Sequence, residues 1–204
     1  MMIIIVRPAY DPVTKAMFRW AQKFIDLSTV EDDLKHDLTG SSATEKGLRD
    51  SLRQHQGAHL IAFYGHGKPD SLIVHDRDGA EFPIVHVKKP GVVPSELKGH
   101  KVYAVACHSA SVLGPALAGA GCLFVGYEEE LTLVPEFAQE FGDVVNASLL
   151  EWVTKSKTSA EIGEHLRKDW LNLSDDLRAG PPRGRSWWVA ILGAFWNGYR
   201  VSAL

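Results

Sequence analysis

Cysteine is scarce in this chain of 204 residues, which has only Cys107 and Cys122. Two cannot build a disulfide scaffold, and both lie in apolar runs, which fits a reduced, intracellular setting. Positive charge is not in excess. The formal net charge is −3 and the pI about 6.3, so no bulk field draws the chain to nucleic acid or to an anionic membrane. Long hydrophobic runs are missing too. The closest, Trp187 to Trp196, is about half of the roughly 18 residues that a membrane span needs. The apolar start, Met1 to Val6, has no basic region before it, is too short for a signal-peptide core and lacks a small-residue cleavage site. A cytoplasmic location is the expectation. The sequence has no internal repeat, no low-complexity tract and no break that marks a second domain.

What is present is an ordinary globular composition, 45% hydrophobic and 23% charged, long enough for a core without metal or disulfide staples. One domain over residues 1–204 is expected, with 156–204 as a C-terminal helical part packing on it. Residues 2–6, 58–64, 101–106 and 122–127 are short apolar runs rich in β-branched residues and read as buried strands. Val13, Met17, Trp20, Phe24 and Leu27 have helical spacing. Residues 28–42 read as a loop with a short strand. Thr44 to His55 reads as a helix with Thr44 as its N-cap, and 71–87 as a hairpin turning at Asp78-Gly79. Helices are expected over 111–120, 136–154, 159–173 and 186–199, with a loop at 175–185. Strand and helix alternate, so the fold class is α/β with a mostly parallel sheet covered by helices.

In such a sheet, sites form beyond the carboxyl ends of the strands. Two strands end in reactive side chains: HLIAFYGHG delivers His66, and KVYAVACHSA delivers Cys107. They are 107 − 66 = 41 residues apart. Neighbouring strands would set imidazole and thiol side by side. A free thiol is only about a few per cent ionised at pH 7, and a nearby histidine can take its proton and later protonate a leaving amine. Gly65 and Gly67 leave room for a substrate backbone. The backbone N–H groups of Gly67 and Cys107 are candidate oxyanion donors.

His66-Gly67 and Ala106-Cys107, each closing an apolar strand in that order, resemble the clan CD cysteine peptidases: caspases, metacaspases, gingipains, separase and the bacterial CHAT peptidases. CHSASVLGPALAGAGCLFVGY is similar to the CHAT pattern of a small-residue helix and a strand after the cysteine. LTGSSATEKGLRDSL resembles the family segment before the histidine strand. The resemblance covers about residues 1–150. It implies a caspase-like three-layer α-β-α sandwich and a Cys-His dyad with no third orienting side chain. It also implies an endopeptidase that needs no cofactor. Small bacterial relatives are often switched on by a sensor or activator protein, and some cleave a gasdermin-like effector in antiviral defence or cell death.

Substrate preference stays open at this stage. Glu128, Glu129 and Glu130 follow the fourth strand and Asp70 follows the His loop. They read either as solvated loop charges or as an acidic wall for a basic residue before the cut. Val105 stands where some relatives that cut after Arg or Lys carry Asp. A cut after Asp would draw on Lys68, Arg77, Lys88 or Lys89, and a small or apolar preference is equally open. His108 sits on the far side of an extended strand from Cys107 and is set aside as the base. Cys122 reads as core. His55, His59, His75, His86, His100 and His165 have no metal-ligand spacing, so no metal is expected. WWVAILGAFW reads as a packed helix, the alternative being a surface that docks a partner or membrane. Loops 28–43, 88–96 and 175–185 are the candidate self-cleavage sites. Two rivals remain: a non-catalytic caspase-like adaptor or scaffold, and another thiol hydrolase or acyl transferase, which would carry a nucleophile elbow.

Overall fold

The computed structural model describes every residue except 55–56, 76–77 and 89. The readings placed on His55, Arg77 and Lys89 fall outside the described residues. The first strand, β1 (Met2–Arg7), is buried along its whole length. Its side chains alternate between two cores. Ile3 and Ile5 enter one, and Ile4 and Val6 enter the other. That is why the run is continuously apolar: a strand covered on both faces has no solvent side to mark with polar residues.

The central sheet has the order β2 (Lys35–Thr39), β1, β3 (His59–Tyr64), β7 (Lys101–Val105), β8 (Leu123–Tyr127), β9 (Val201–Ala203). All pairs are parallel except β8 with β9. The chain steps from β1 to β2 on one side, then returns across β1 to β3. Because parallel crossovers keep one hand, the two connecting helices cover opposite faces. Helix α1 (Pro12–Leu27) packs with α4 (Ala138–Thr154), α5 (Ser159–Ala179) and α6 (Trp187–Tyr199) on one face. Helices α2 (Glu45–Gln54) and α3 (Leu113–Gly119) cover the other, together with a small antiparallel sheet of β4 (His66–Lys68), β5 (Ser71–His75) and β6 (Glu81–His86).

A row of buried tyrosines fixes the first face. The Tyr64 hydroxyl donates to Asn146 Oδ1 at 2.8 Å, Tyr103 donates to the Val145 carbonyl at 2.8 Å, and Tyr127 accepts from Trp170 Nε1 at 3.0 Å. The buried polar atoms are therefore satisfied while the rings pack. Ile162, Leu166 and Trp170 of α5 share that core with the strands.

Several expectations change. Helix α5 runs on to Ala179, so half of the expected 175–185 loop is helical. Leu177 is buried one helical repeat beyond Trp170, and the Ser174 hydroxyl donates to the Ile191 carbonyl at 3.0 Å. The polar Asp175, Asp176 and Arg178 disguised that continuation. The short strand expected within 28–42 is Lys35–Thr39, an edge strand in register with β1. The GHG segment is not only a loop, since it opens β4. Among the described residues, no helix is long and apolar enough to cross a membrane.

Candidate functional site

Strands β1, β3 and β7 are consecutive in the sheet and parallel, so their carboxyl ends lie together. The chain places β2 on one side of β1 and β3 on the other, so the strand order reverses here, the usual place for a crevice. Tyr64 pairs with Val105, and the Gly65 N–H donates to the Val105 carbonyl at 3.2 Å. Two residues beyond that register, each chain reaches its reactive side chain, His66 or Cys107. A Cβ at position 67 would lie 2.2 Å from the Cys107 carbonyl oxygen and 3.0 Å from Ala106 Cβ. Glycine there lets the His66-Gly67 backbone press directly on the Ala106-Cys107 backbone.

His66 does not stand alone. Its Nε2 lies 2.8 Å from Asp11 Oδ2. Asp11 sits in the turn after β1 and caps α1, accepting the N–H groups of Val13 at 2.8 Å and Thr14 at 3.0 Å. Burial pushes the Asp11 carboxyl up, but the Thr14 N–H, His66 and the Thr14 hydroxyl together outweigh it and bring it down to about 2. The carboxylate is therefore ionised at any physiological pH and fixes one ring nitrogen of His66. Sequence reasoning passed over Asp11. The signal was Asp-Pro opening a helix just after the first strand, and it is fully explained by capping alone.

A second imidazole joins them. His75 of β5 stacks on His66, ring centroids 4.8 Å apart and planes 20° apart. Its Nδ1 is 4.0 Å from Asp11 Oδ2, and its buried Nε2, without a hydrogen bond, is 3.6 Å from Glu81 Oε1. Asp11, His66 and His75 thus offer three donor atoms within 4.8 Å of one another. A tetrahedral ion would need its donors about 3.3 Å apart and aimed at one point. Stacked rings aim their lone pairs along nearly parallel planes, so one ring must turn before the set could hold a metal.

Cys107 is half-buried. Its Sγ accepts the Leu131 N–H at 3.3 Å. Burial pushes the thiol up, the Leu131 N–H offsets part of that, and the nearby charge of Glu130 adds to it. The next residue breaks the strand: His108 has φ 55°, a left-handed conformation that costs a non-glycine residue about 1 kcal/mol. Its N–H donates to the Glu129 carbonyl at 2.9 Å. The expectation that His108 continues an extended strand is corrected accordingly. Strand, turn and α3 do follow one another, but the strained residue is His108 and not the cysteine, unlike a nucleophile elbow.

The acidic candidates divide. Glu129 pairs with Arg200 at 3.2 Å, and Asp70 lies 3.4 Å from His86 Nε2 and accepts the Ser71 hydroxyl at 3.0 Å. Glu128 and Glu130 are exposed, and of the four only Glu130 is seen to act on the thiol. Of the basic candidates, Lys68 is tied to Glu81 and Lys88 is exposed.

A cavity of about 610 Å³ opens beside the His66 pair. Tyr10 and His75 form its wall toward Asp11 and His66, and Ala43, Val74, Phe82 and Pro83 make it largely apolar. Its lining comes from separate segments, so no local sequence pattern could reveal it. The chain matches no protein-family model, no curated protein and no solved structure.

Proposed function

We propose that this chain is a caspase-like cysteine endopeptidase. The observation that carries the reading is the delivery of Asp11, His66 and Cys107 to one end of the sheet by three consecutive parallel strands, with Gly67 seated against Cys107. In the proposed reaction His66 takes the thiol proton and Cys107 Sγ attacks the scissile carbonyl carbon. The oxyanion faces the N–H groups of Gly67 and Cys107. The carbon–nitrogen bond then breaks, and His66 protonates the leaving amine. Water, losing a proton to His66, attacks the thioester, and the proton returns to sulfur as the acid product leaves. Asp11 holds the His66 ring in one orientation throughout, which the two-residue dyad did not anticipate. No step calls for a cofactor.

The apolar cavity beside His66 is proposed to receive an apolar side chain of the substrate. This reading replaces the acidic wall, two of whose four members are occupied by Arg200 and His86. The natural substrate would be a protein, with a gasdermin-like effector and an upstream activator as the partners that the family resemblance suggests. The scaffold alternative draws on one observation: burial pushes the Cys107 thiol up, away from the reactive thiolate.

The test is cleavage of a mixed peptide library, with the new ends sequenced, by the wild type and by Cys107→Ala. The expected result is cutting by the wild type alone, with apolar residues enriched next to the cut. Cutting by both proteins would sink the peptidase assignment. Enrichment of Arg or Lys would restore the acidic wall. If neither protein cuts, labelling of Cys107 by a thiol-reactive peptide probe separates an enzyme awaiting its activator from a scaffold.

A further inference from the structure

Helix α6 is mostly apolar, and most of its large side chains face outward. Its inner face buries Trp187, Ile191 and Asn197 together with the small residues Ala190, Gly193, Ala194 and Gly198. A Cβ at 193 would lie 2.7 Å from Thr132 Cγ2, and one at 198 would lie 3.1 Å from Trp170 Cβ. The outer face carries Trp188 (61% exposed), Val189 (54%), Leu192 (65%), Phe195 (43%), Trp196 (39%) and Tyr199 (64%). These positions recur at helical spacing, so they form one continuous stripe along the helix. Phe195 and Tyr199 already pack ring on ring, with centroids 4.7 Å apart. Little side-chain freedom is left there to lose on binding.

We propose that this stripe is the surface through which two copies of the chain associate, helix α6 against helix α6. Three observations choose that occupant. The stripe exposes roughly 700 Å² of apolar surface by ordinary side-chain areas, close to the ~800 Å² that each partner contributes to a stable interface. It contains no charged side chain, and it is rich in the Trp, Tyr and Phe that dominate interface centres. A stripe that is apolar from end to end is also complementary to its own copy, as a two-fold interface requires. Two of the three flanking cations are engaged within the protein, which weakens the case for a lipid surface: Arg183 is bonded to Glu140 at 3.0 Å, and Arg200 is paired with Glu129 at 3.2 Å while its guanidinium sits 4.3 Å over Trp196; the third, Arg185, is exposed. Charges satisfied within the protein add little attraction for anionic headgroups.

The experiment is sedimentation velocity of the full chain over a concentration series, with Leu192→Arg beside the wild type. Leu192 lies mid-stripe and is exposed, so the variant keeps the monomer fold, and circular dichroism checks this. A wild-type dimer whose dissociation constant rises about 30-fold or more in the folded variant supports the proposal. A wild type that stays monomeric at 100-fold dilution steps up to about 100 µM, or a variant that dimerises equally well, overturns it. Co-flotation of the wild type with vesicles of neutral and anionic lipid also overturns it, in favour of a membrane. As a second readout, Leu192→Cys should cross-link to itself under mild oxidation faster than Val13→Cys, a cysteine placed on the exposed face of α1. Equal rates count against it. None of these outcomes depends on peptidase activity.

Discussion

The two ends of the central sheet carry nearly the same side chains and do opposite things with them. At the amino end lie His59, the first residue of β3, and His100 and Cys122, just before β7 and β8. At the carboxyl end lie His66, His75 and Cys107. Each end has a close imidazole pair, with centroids 4.8 Å apart in both. The sulfurs differ in what they touch. Cys122 Sγ donates to the His100 carbonyl at 3.1 Å, a bond that exists only while the thiol keeps its proton. Cys107 Sγ accepts an N–H from Leu131, a bond that strengthens if the proton leaves. Burial pushes Cys122 up to about 12, and burial also lowers His100. The carboxyl-end pair is joined by a carboxylate, Asp11. Two thiols of one type thus meet opposite backbone groups, a carbonyl at Cys122 and an N–H at Cys107.

Exchanging the ends is the strongest way to break this comparison. Cys107→Ala should lower kcat/KM on a library-derived peptide by at least about 10⁴-fold, whereas Cys122→Ala should leave it within about twofold, with a stability loss of about 1 kcal/mol. Comparable losses in both would mean that the ends are not distinct. A smaller effect is expected at Asp11. Asn caps a helix as well as Asp does, but the depressed Asp11 carboxyl shows that its charge also stabilises the fold, so Asp11→Asn should lower the melting temperature modestly while lowering kcat about 10²-fold by releasing the His66 ring. Asp11→Ala should show the same kinetic loss and a further drop of about 1 kcal/mol in stability. Unchanged kcat in the Asn variant would reduce Asp11 to a cap.

The mildest contrast is in alkylation. Iodoacetamide should modify Cys107 before Cys122, read by mass spectrometry of intact protein and peptides. Burial raises the Cys107 thiol, so its thiolate fraction at neutral pH is smaller than that of a free cysteine. The rate should therefore keep climbing as pH rises through 9, the ordinary thiol value. Cys122 should react only on unfolding. A Cys107 rate already flat at neutral pH would show a thiolate held by something other than the contacts described.

Much of this was legible beforehand. The four buried strands announced themselves through runs such as MIIIV and HLIAFY, because covered strands must be apolar on both faces. His66 and Cys107 were legible because each closes such a run. Asp11 was not, since its capping role accounts for it locally and its partner lies 55 residues away. Strands β4 and β9 have three residues each, too few to show alternation. The length of α5 was hidden by charges on its outer face, and α6 gave no hint of which side faced in because both its sides are mostly apolar.

The left-to-right order of the sheet also has a bearing on time. Its ladders join residues far apart in the chain, and contacts of that range are the slow ones to form. Asp11, His66 and Cys107 follow three different strands, β1, β3 and β7, so no short fragment that folds early can hold them together.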